Sequence, residues 1–220
     1  MKKVGLLLSG CGFNDGSEIH ESVISMLALD RAGVETVIMA PNIDQMHVVN
    51  HYTGQEMDEF RNVLVESSRI ARGNIKDMAE VTGNDLDALI IPGGFGIAKN
   101  LSDYAMAGPD CSVNPDVYRL VSEIYLLKKP IGAICIAPVM MAKIFGEQDE
   151  SAEMTIGSDE LTSKDINTMG SKHIKCLVSE MIIDEDKKLV TTPAYMEAQS
   201  IKEAAEGIEK LVKQVLLMIE

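Results

Sequence analysis

The chain has 220 residues and a formal net charge of −14, with 46% hydrophobic and 25% charged side chains. That composition is ordinary for one globular domain, expected over residues 1–220. The acidity disfavours nucleic acid and anionic membrane surfaces as partners, since both are negatively charged. No run of apolar residues is long enough to span a bilayer.

The first element is a buried strand in KVGLLLS, residues 3–9. Gly-rich polar sequence follows it at once, and the opening apolar run is too short for a signal-peptide core, so a cytoplasmic protein is expected. The stretch 17–33 reads as a helix: Ser17 is placed to cap it, Ile19, Val23, Met26 and Leu27 share a face, and Gly33 closes it. VETVIMAP (34–41) is the next strand. QMHVVNHYTGQEM reads as a β-hairpin around Thr53-Gly54, and 61–73 as a helix. IKDMAEV is either a short strand or an irregular link.

LDALIIPGGFG (86–96) is a buried strand running into a Gly-rich turn. Pro115 and the lysines near 129 mark the two ends of a helix over 115–129. PIGAIC (130–135) is a strand and 137–146 a short helix. MTIGS and HIKCLV read as strands around a helix in 159–170, and 181–193 as a hairpin turning at Glu185-Asp186. A last helix runs from about 197 to 219, its buried stripe marked by Ile201, Ala205, Ile208, Val212 and Val215. This alternation predicts an α/β domain, a doubly wound and mostly parallel sheet with helices on both faces. Ligands in such sheets gather at the carboxyl ends of the strands, which directs attention to the loops after Ser9, Ile91 and Ile134.

In GAICIAP, Cys135 stands where a strand gives way to a helix. A nucleophile turn at that junction needs small residues two positions before and after, and Ala133 and Ala137 occupy those positions. The helix N-terminus would favour a thiolate, and the N–H of Ile136 would face an anion beside the sulfur. A buried structural cysteine fits the same pattern. Gly93 and Gly94 allow the backbone to approach a ligand, yet the loop matches neither a phosphate loop nor a dinucleotide fingerprint. Glu18 in the loop after the first strand offers a general acid/base, or simply a favourable charge in a first helical turn. His47 and His51 have the spacing of a zinc helix without its glutamate, and no cysteine pair has CxxC spacing. No metal and no cofactor are expected, and the four cysteines are expected to be reduced.

LDALIIPGGFGIAKNL, GAICIAP and LVTTPAYMEAQSIKEAAEGIEKLV together resemble the ThiJ/PfpI superfamily, which has the class I glutamine amidotransferase-like fold. LSGCGFNDGSEIHE and the segment around VVNHYTGQEMDE are similar to its ElbB-type, glyoxalase-like subgroup, associated with isoprenoid biosynthesis. The resemblance implies a flavodoxin-like sandwich, a homodimer and a nucleophilic Cys135. It implies that Glu18 hydrogen-bonds the sulfur and that the Gly94 and Ile136 amides form an anion hole. Gly93, Cys11, Asp15, Asn100, Pro193 and Ala194 are the expected pocket lining. The chain departs from many relatives in having Ile136, not His, after the cysteine, and Ser158 or Asp159 where some carry another His. The function expected is a cofactor-free, cysteine-dependent conversion of a small aldehyde, glyoxal, to its 2-hydroxy acid. The alternatives are a cysteine redox sensor or stress chaperone, and an amidotransferase-derived binding module.

Overall fold

A computed structural model describes residues 1–220. Strand β1 (Lys3–Leu7) leads through a loop to α1 (Ile19–Arg31) and then to β2 (Glu35–Ala40). A two-stranded excursion, β3 (Val49–Asn50) and β4 (Gln55–Glu56), precedes α2 (Val63–Ile70) and the short edge strand β5 (Lys76–Asp77). Next come β6 (Ala88–Ile91), a π-turn over Ile97–Leu101, the one-turn α3 (Tyr104–Ala107) and α4 (Pro115–Leu126). After β7 (Ile131–Ile134) come α5 (Ala137–Glu147), β8 (Glu153–Met154), α6 (Glu160–Thr168) and β9 (Lys172–His173). The hairpin β10 (Ile182–Asp184) and β11 (Leu189–Thr192) precedes the long α7 (Ile201–Leu217).

Seven strands form one sheet in the order β10-β11-β7-β6-β1-β2-β5. All its pairings are parallel except β10 with β11. Side chains alternate across it. Leu7, Leu89, Ile91, Ile131 and Leu189 face the core shared with α4, α5 and α6. Val4, Leu6, Ile90, Ile134 and Val190 face the core shared with α1, α2 and α7. Both faces are covered, as the near-continuous apolar character of these strands requires. The fold is thus the expected flavodoxin-like one, and its chain direction brings the loops after β1, β6 and β7 to one edge.

The hairpin excursion falls where its sequence put it, with Gly54 at a left-handed φ of 73°. Its base is tied to the loop after β1. Asp15 accepts the Val49 N–H at 2.7 Å, and His51 Nε2 accepts the Asn14 N–H at 3.2 Å.

Helix α1 departs most from its expected packing. Ile19, Val23 and Leu27 are 41%, 48% and 42% exposed, while Glu21, Ser22 and Ser25 are buried. The two serine hydroxyls donate to the Glu18 and Glu21 carbonyls at 2.7 Å, so they pack inward with their polar atoms satisfied. The cap also shifts. Glu18 caps α1 by accepting the Glu21 N–H, while Ser17 Oγ accepts the Ser9 N–H.

MTIGS and HIKCLV give only the paired dipeptides β8 and β9. The ladder stops because the Ile156 N–H goes to His173 Nε2 at 3.3 Å and not to the β9 backbone. In α7 the inner face is carried by Ala204, Gly207, Ile208, Leu211, Val212 and Val215, with Ile201 half-exposed. Gly207 permits this close approach: a Cβ there would meet Thr192 Oγ1 at 2.5 Å.

Candidate active site

Cys135 follows β7 and precedes α5, and its φ is +61°, in the left-handed region that β-carbons disfavour. The flanking Ala133 and Ala137 are fully buried, as the passing chain demands. The Cys135 N–H donates to the Thr192 carbonyl at 2.9 Å, which locks the turn to β11. Strain held this firmly by its surroundings is characteristic of reactive positions. Cys135 is 7% exposed. The backbone amides of Gly94 and Ile136, the two expected as an anion hole, lower its thiol and so favour its charged form.

The carboxyl partner is not Glu18. Glu18 spends its side chain on the helix cap, and Glu21, one turn further on, is the fully buried carboxyl that lies beside the Cys135 thiol. Glu21 Oε2 accepts the Gly93 N–H at 2.8 Å and Oε1 the Tyr195 N–H at 3.3 Å. Gly93 is where the three groups converge. A Cβ there would lie 2.5 Å from Cys135 Cβ, 2.8 Å from Glu21 Oε2 and 3.0 Å from Sγ. Glycine therefore lets carboxyl and thiol share one enclosed space.

Burial, and then the neighbouring Glu18 charge, pushes Glu21 up to about 8, against the pull of its two amide donors. Burial, and then the charge of Glu21, holds the Cys135 thiol well above its ordinary value, opposed by the Gly94 and Ile136 amides. The pair titrates as one unit. In acid it holds both protons. Glu21 gives up its proton first and the other stays mainly on the thiol; transfer of that proton to Glu21 gives the minor form, a thiolate beside a neutral carboxyl.

Above the sulfur opens a cavity of about 330 Å³. Phe13, Phe95, Ala98, Ala105, Ile136 and Met196 form much of its wall, with Tyr104 and Tyr195 among the aromatic lining. Glu18, Asp159 and Thr162 are polar groups on it. Asp159 caps α6, accepting the Thr162 N–H at 2.8 Å, and the Thr162 side chain holds its carboxyl below the usual range. Tyr104 donates its hydroxyl to Asp165 at 2.7 Å, and burial raises that phenol first. Tyr195 shares a 2.7 Å hydrogen bond with His20 Nδ1.

Several expected lining residues serve as scaffold instead. Gly93 lies beneath the sulfur rather than on the cavity wall. Asn100 donates to the Ser9 and Asp15 carbonyls at 2.8 Å and accepts the Met46 N–H, so it fastens the β1 loop to the excursion. Asp15 is consumed by Val49. Cys11 lies among Glu66, Arg69, Asp15 and Arg61, away from the cavity, and burial raises its thiol. Pro193 and Ala194 are buried behind Tyr195 and Met196, the residues that do reach the cavity. Of the two candidates standing in for a histidine, Asp159 lines the cavity while Ser158 bonds Glu197. His173 accepts the Ile156 N–H and is not on the cavity wall. All four cysteines are free.

A thiol on a left-handed strand-to-helix turn, at the carboxyl edge of a parallel sheet and against a buried carboxyl, defines a nucleophile-elbow protein of the glutamine amidotransferase-like class. The chain belongs to the DJ-1/PfpI family, whose model matches residues 11–193. It is 43% identical to the rat "ES1 protein homolog, mitochondrial", over 97% of this chain and 83% of the relative. It is 44% identical to the human "Glutamine amidotransferase-like class 1 domain-containing protein 3, mitochondrial", over 97% and 82%. A crystal structure of an "isoprenoid biosynthesis protein with amidotransferase-like domain" from Ehrlichia chaffeensis superposes over 100% of both chains, with a TM-score of 0.94 and 35% identity. Drosophila melanogaster DJ-1beta, at 17% identity and a TM-score of 0.57 over 99% of this chain and 95% of its own, shares the fold. The two mammalian relatives are named mitochondrial, whereas the sequence reading expected a cytoplasmic protein. No helix is long and apolar enough to cross a membrane.

Proposed function

We propose that the protein is a cofactor-free glyoxalase-like enzyme that converts small α-oxoaldehydes, glyoxal among them, to 2-hydroxy acids through Cys135. The observation that carries this reading is the strained, amide-facing sulfur set against a buried carboxyl at the floor of a cavity. After the pair loses one proton, the Cys135 thiolate adds to the aldehyde carbon. The Gly94 and Ile136 amides face the charge that passes from sulfur to oxygen, and protonated Glu21 delivers its proton to that oxygen. Glu21, now a carboxylate, removes the proton from the former aldehyde carbon and returns it to the neighbouring carbon through an enediol. The product of that transfer is a thioester of the 2-hydroxy acid. Water cleaves it, releasing glycolate from glyoxal and restoring the thiol. One water is added and no external oxidant is needed.

Mass analysis of protein quenched during turnover tests the reading. A glyoxal-derived adduct on the Cys135 peptide is expected, and it should be absent in Cys135→Ala. Adducts confined to lysine and arginine would overturn it.

A homodimer belongs to the same reading, supported by the outward Ile19, Val23 and Leu27 stripe of α1. Light scattering should find a dimer that Val23→Glu weakens; a wild-type monomer would remove this part. A reducing compartment, the cytoplasm in this reading, suits four free thiols. A link to isoprenoid metabolism is supported by what the Ehrlichia protein is called.

A further inference from the structure

We propose that the pocket selects uncharged oxoaldehydes bearing an aromatic or branched apolar group, over glyoxal itself and over anionic aldehydes. This rests on Cys135 being the nucleophile, as read above, and adds the substrate class.

The first argument is volume. A cavity of about 330 Å³ holds space equal to roughly ten waters at ~30 Å³ each. Glyoxal would leave most of that space to solvent, on walls that gain nothing from it. The second argument is surface. Phe13, Phe95, Ala98 and Met196 give an apolar, partly aromatic wall for a flat substituent, with the Lys99 ammonium over one face of Phe95 and His51 packed T-shaped against Phe13. Phe13 and Phe95 are 49% and 50% exposed, so a substrate ring would remove apolar surface from water on both sides.

The third argument is charge. No lysine, arginine or histidine lines the cavity, whereas Glu18 and Asp159 do. Both carboxylates are fixed as helix caps and cannot swing away. Lys99, next to Ala98, gives its ammonium to the Asn14 carbonyl at 2.8 Å and to the Phe95 ring, 5.4 Å from its centroid, so its charge is already partnered and it is not itself on the lining. The amides at the sulfur accept one developing negative charge at the reacting carbon. A second, permanent charge on the substituent would face the two carboxylates, and like charges across a contact are strongly disfavoured.

The chemistry is unchanged by the substituent. For phenylglyoxal, sulfur bonds to the aldehyde carbon and its oxygen takes the proton. The carbon-bound hydrogen moves to the former ketone carbon through the enediol, and water releases mandelate and the thiol.

The experiment compares kcat/KM for glyoxal, phenylglyoxal and para-carboxyphenylglyoxal, reading each hydroxy acid by chromatography, in wild type, Cys135→Ala and Ala105→Lys. Burial of one aromatic ring predicts phenylglyoxal ahead of glyoxal by about 10- to 100-fold. The para-carboxy compound should fall at least about tenfold below phenylglyoxal. Ala105 is exposed at the cavity mouth, and Ala105→Lys should narrow that second gap several-fold. Equal rates for the two aryl substrates, or glyoxal ahead of phenylglyoxal, overturn the substrate class and leave the nucleophile standing, provided Cys135→Ala is inactive. Hydroxy acid formation that survives in Cys135→Ala, or none from any substrate, overturns both.

Discussion

Replacing Glu21 by Gln should make the difference in stability between variant and wild type depend on pH. Glu21 is pushed from an ordinary 4.5 to about 8 in the native state. Between those values the folded chain keeps a proton that the unfolded chain has lost. Wild-type stability therefore falls as pH rises through the window, and the loss is complete above the folded value. At about 1.4 kcal/mol per pH unit, the whole rise is worth about 5 kcal/mol. Gln cannot titrate, so its variant escapes that loss. It has a separate, pH-independent cost: an amide NH2 must face the N–H of Gly93 or Tyr195, worth about 1–3 kcal/mol. With an isoelectric point near 4.7, urea titrations are best run from about pH 5.5 to about 8.5. The upper limit stays short of the ordinary thiol value of 9.0. Over that range wild type should lose about 3 kcal/mol relative to Glu21→Gln, leaving the variant the more stable protein at the alkaline end. A difference that stays flat within about 0.5 kcal/mol would refute the buried, proton-holding carboxyl. So would one that moves the other way.

The rate of oxoaldehyde conversion should rise with pH through about 8, as the Cys135–Glu21 pair gives up its first proton; a profile flat from about pH 6 to about 9 would contradict this assignment. Gly93→Ala sets a Cβ 2.5 Å from Cys135 Cβ, so it should cost roughly 1–3 kcal/mol in urea unfolding and abolish glycolate formation; an active, stable variant would show that the groups are not so tightly confined. Cys135→Gly should be more stable than Cys135→Ala by about 1 kcal/mol, because glycine alone tolerates φ +61° without strain; a less stable Gly variant would argue against a strained turn. Asn100→Ala should cost about 2–3 kcal/mol by leaving the Ser9 and Asp15 carbonyls and the Met46 N–H unpaired, and a neutral result in the same titration would remove it from the scaffold.

The elbow was legible because its constraints are local. Small residues at 133 and 137 are written within two positions of Cys135. The parallel sheet was legible from its continuous apolar runs. Glu21 was hidden because hydrophobic periodicity assigns the inner face of α1 to Ile19, Val23 and Leu27. The real inner face is Glu21, Ser22 and Ser25, made compatible with burial by serine bonds to the preceding turn and by amides from Gly93 and Tyr195. Those partners lie on loops 72 and 174 residues away in sequence, and no local pattern reports them. The cavity wall was hidden for the same reason. Phe13, Phe95, Asp159 and Tyr195 come from four separate segments that only the sheet edge brings together.

The most direct test of the central claim is glycolate released from glyoxal by purified wild type, Cys135→Ala and Glu21→Gln. The account predicts steady glycolate formation by wild type, buffer-level formation by Cys135→Ala, and a loss of about 10²–10⁴-fold in Glu21→Gln. Glycolate made by Cys135→Ala at the wild-type rate would contradict it.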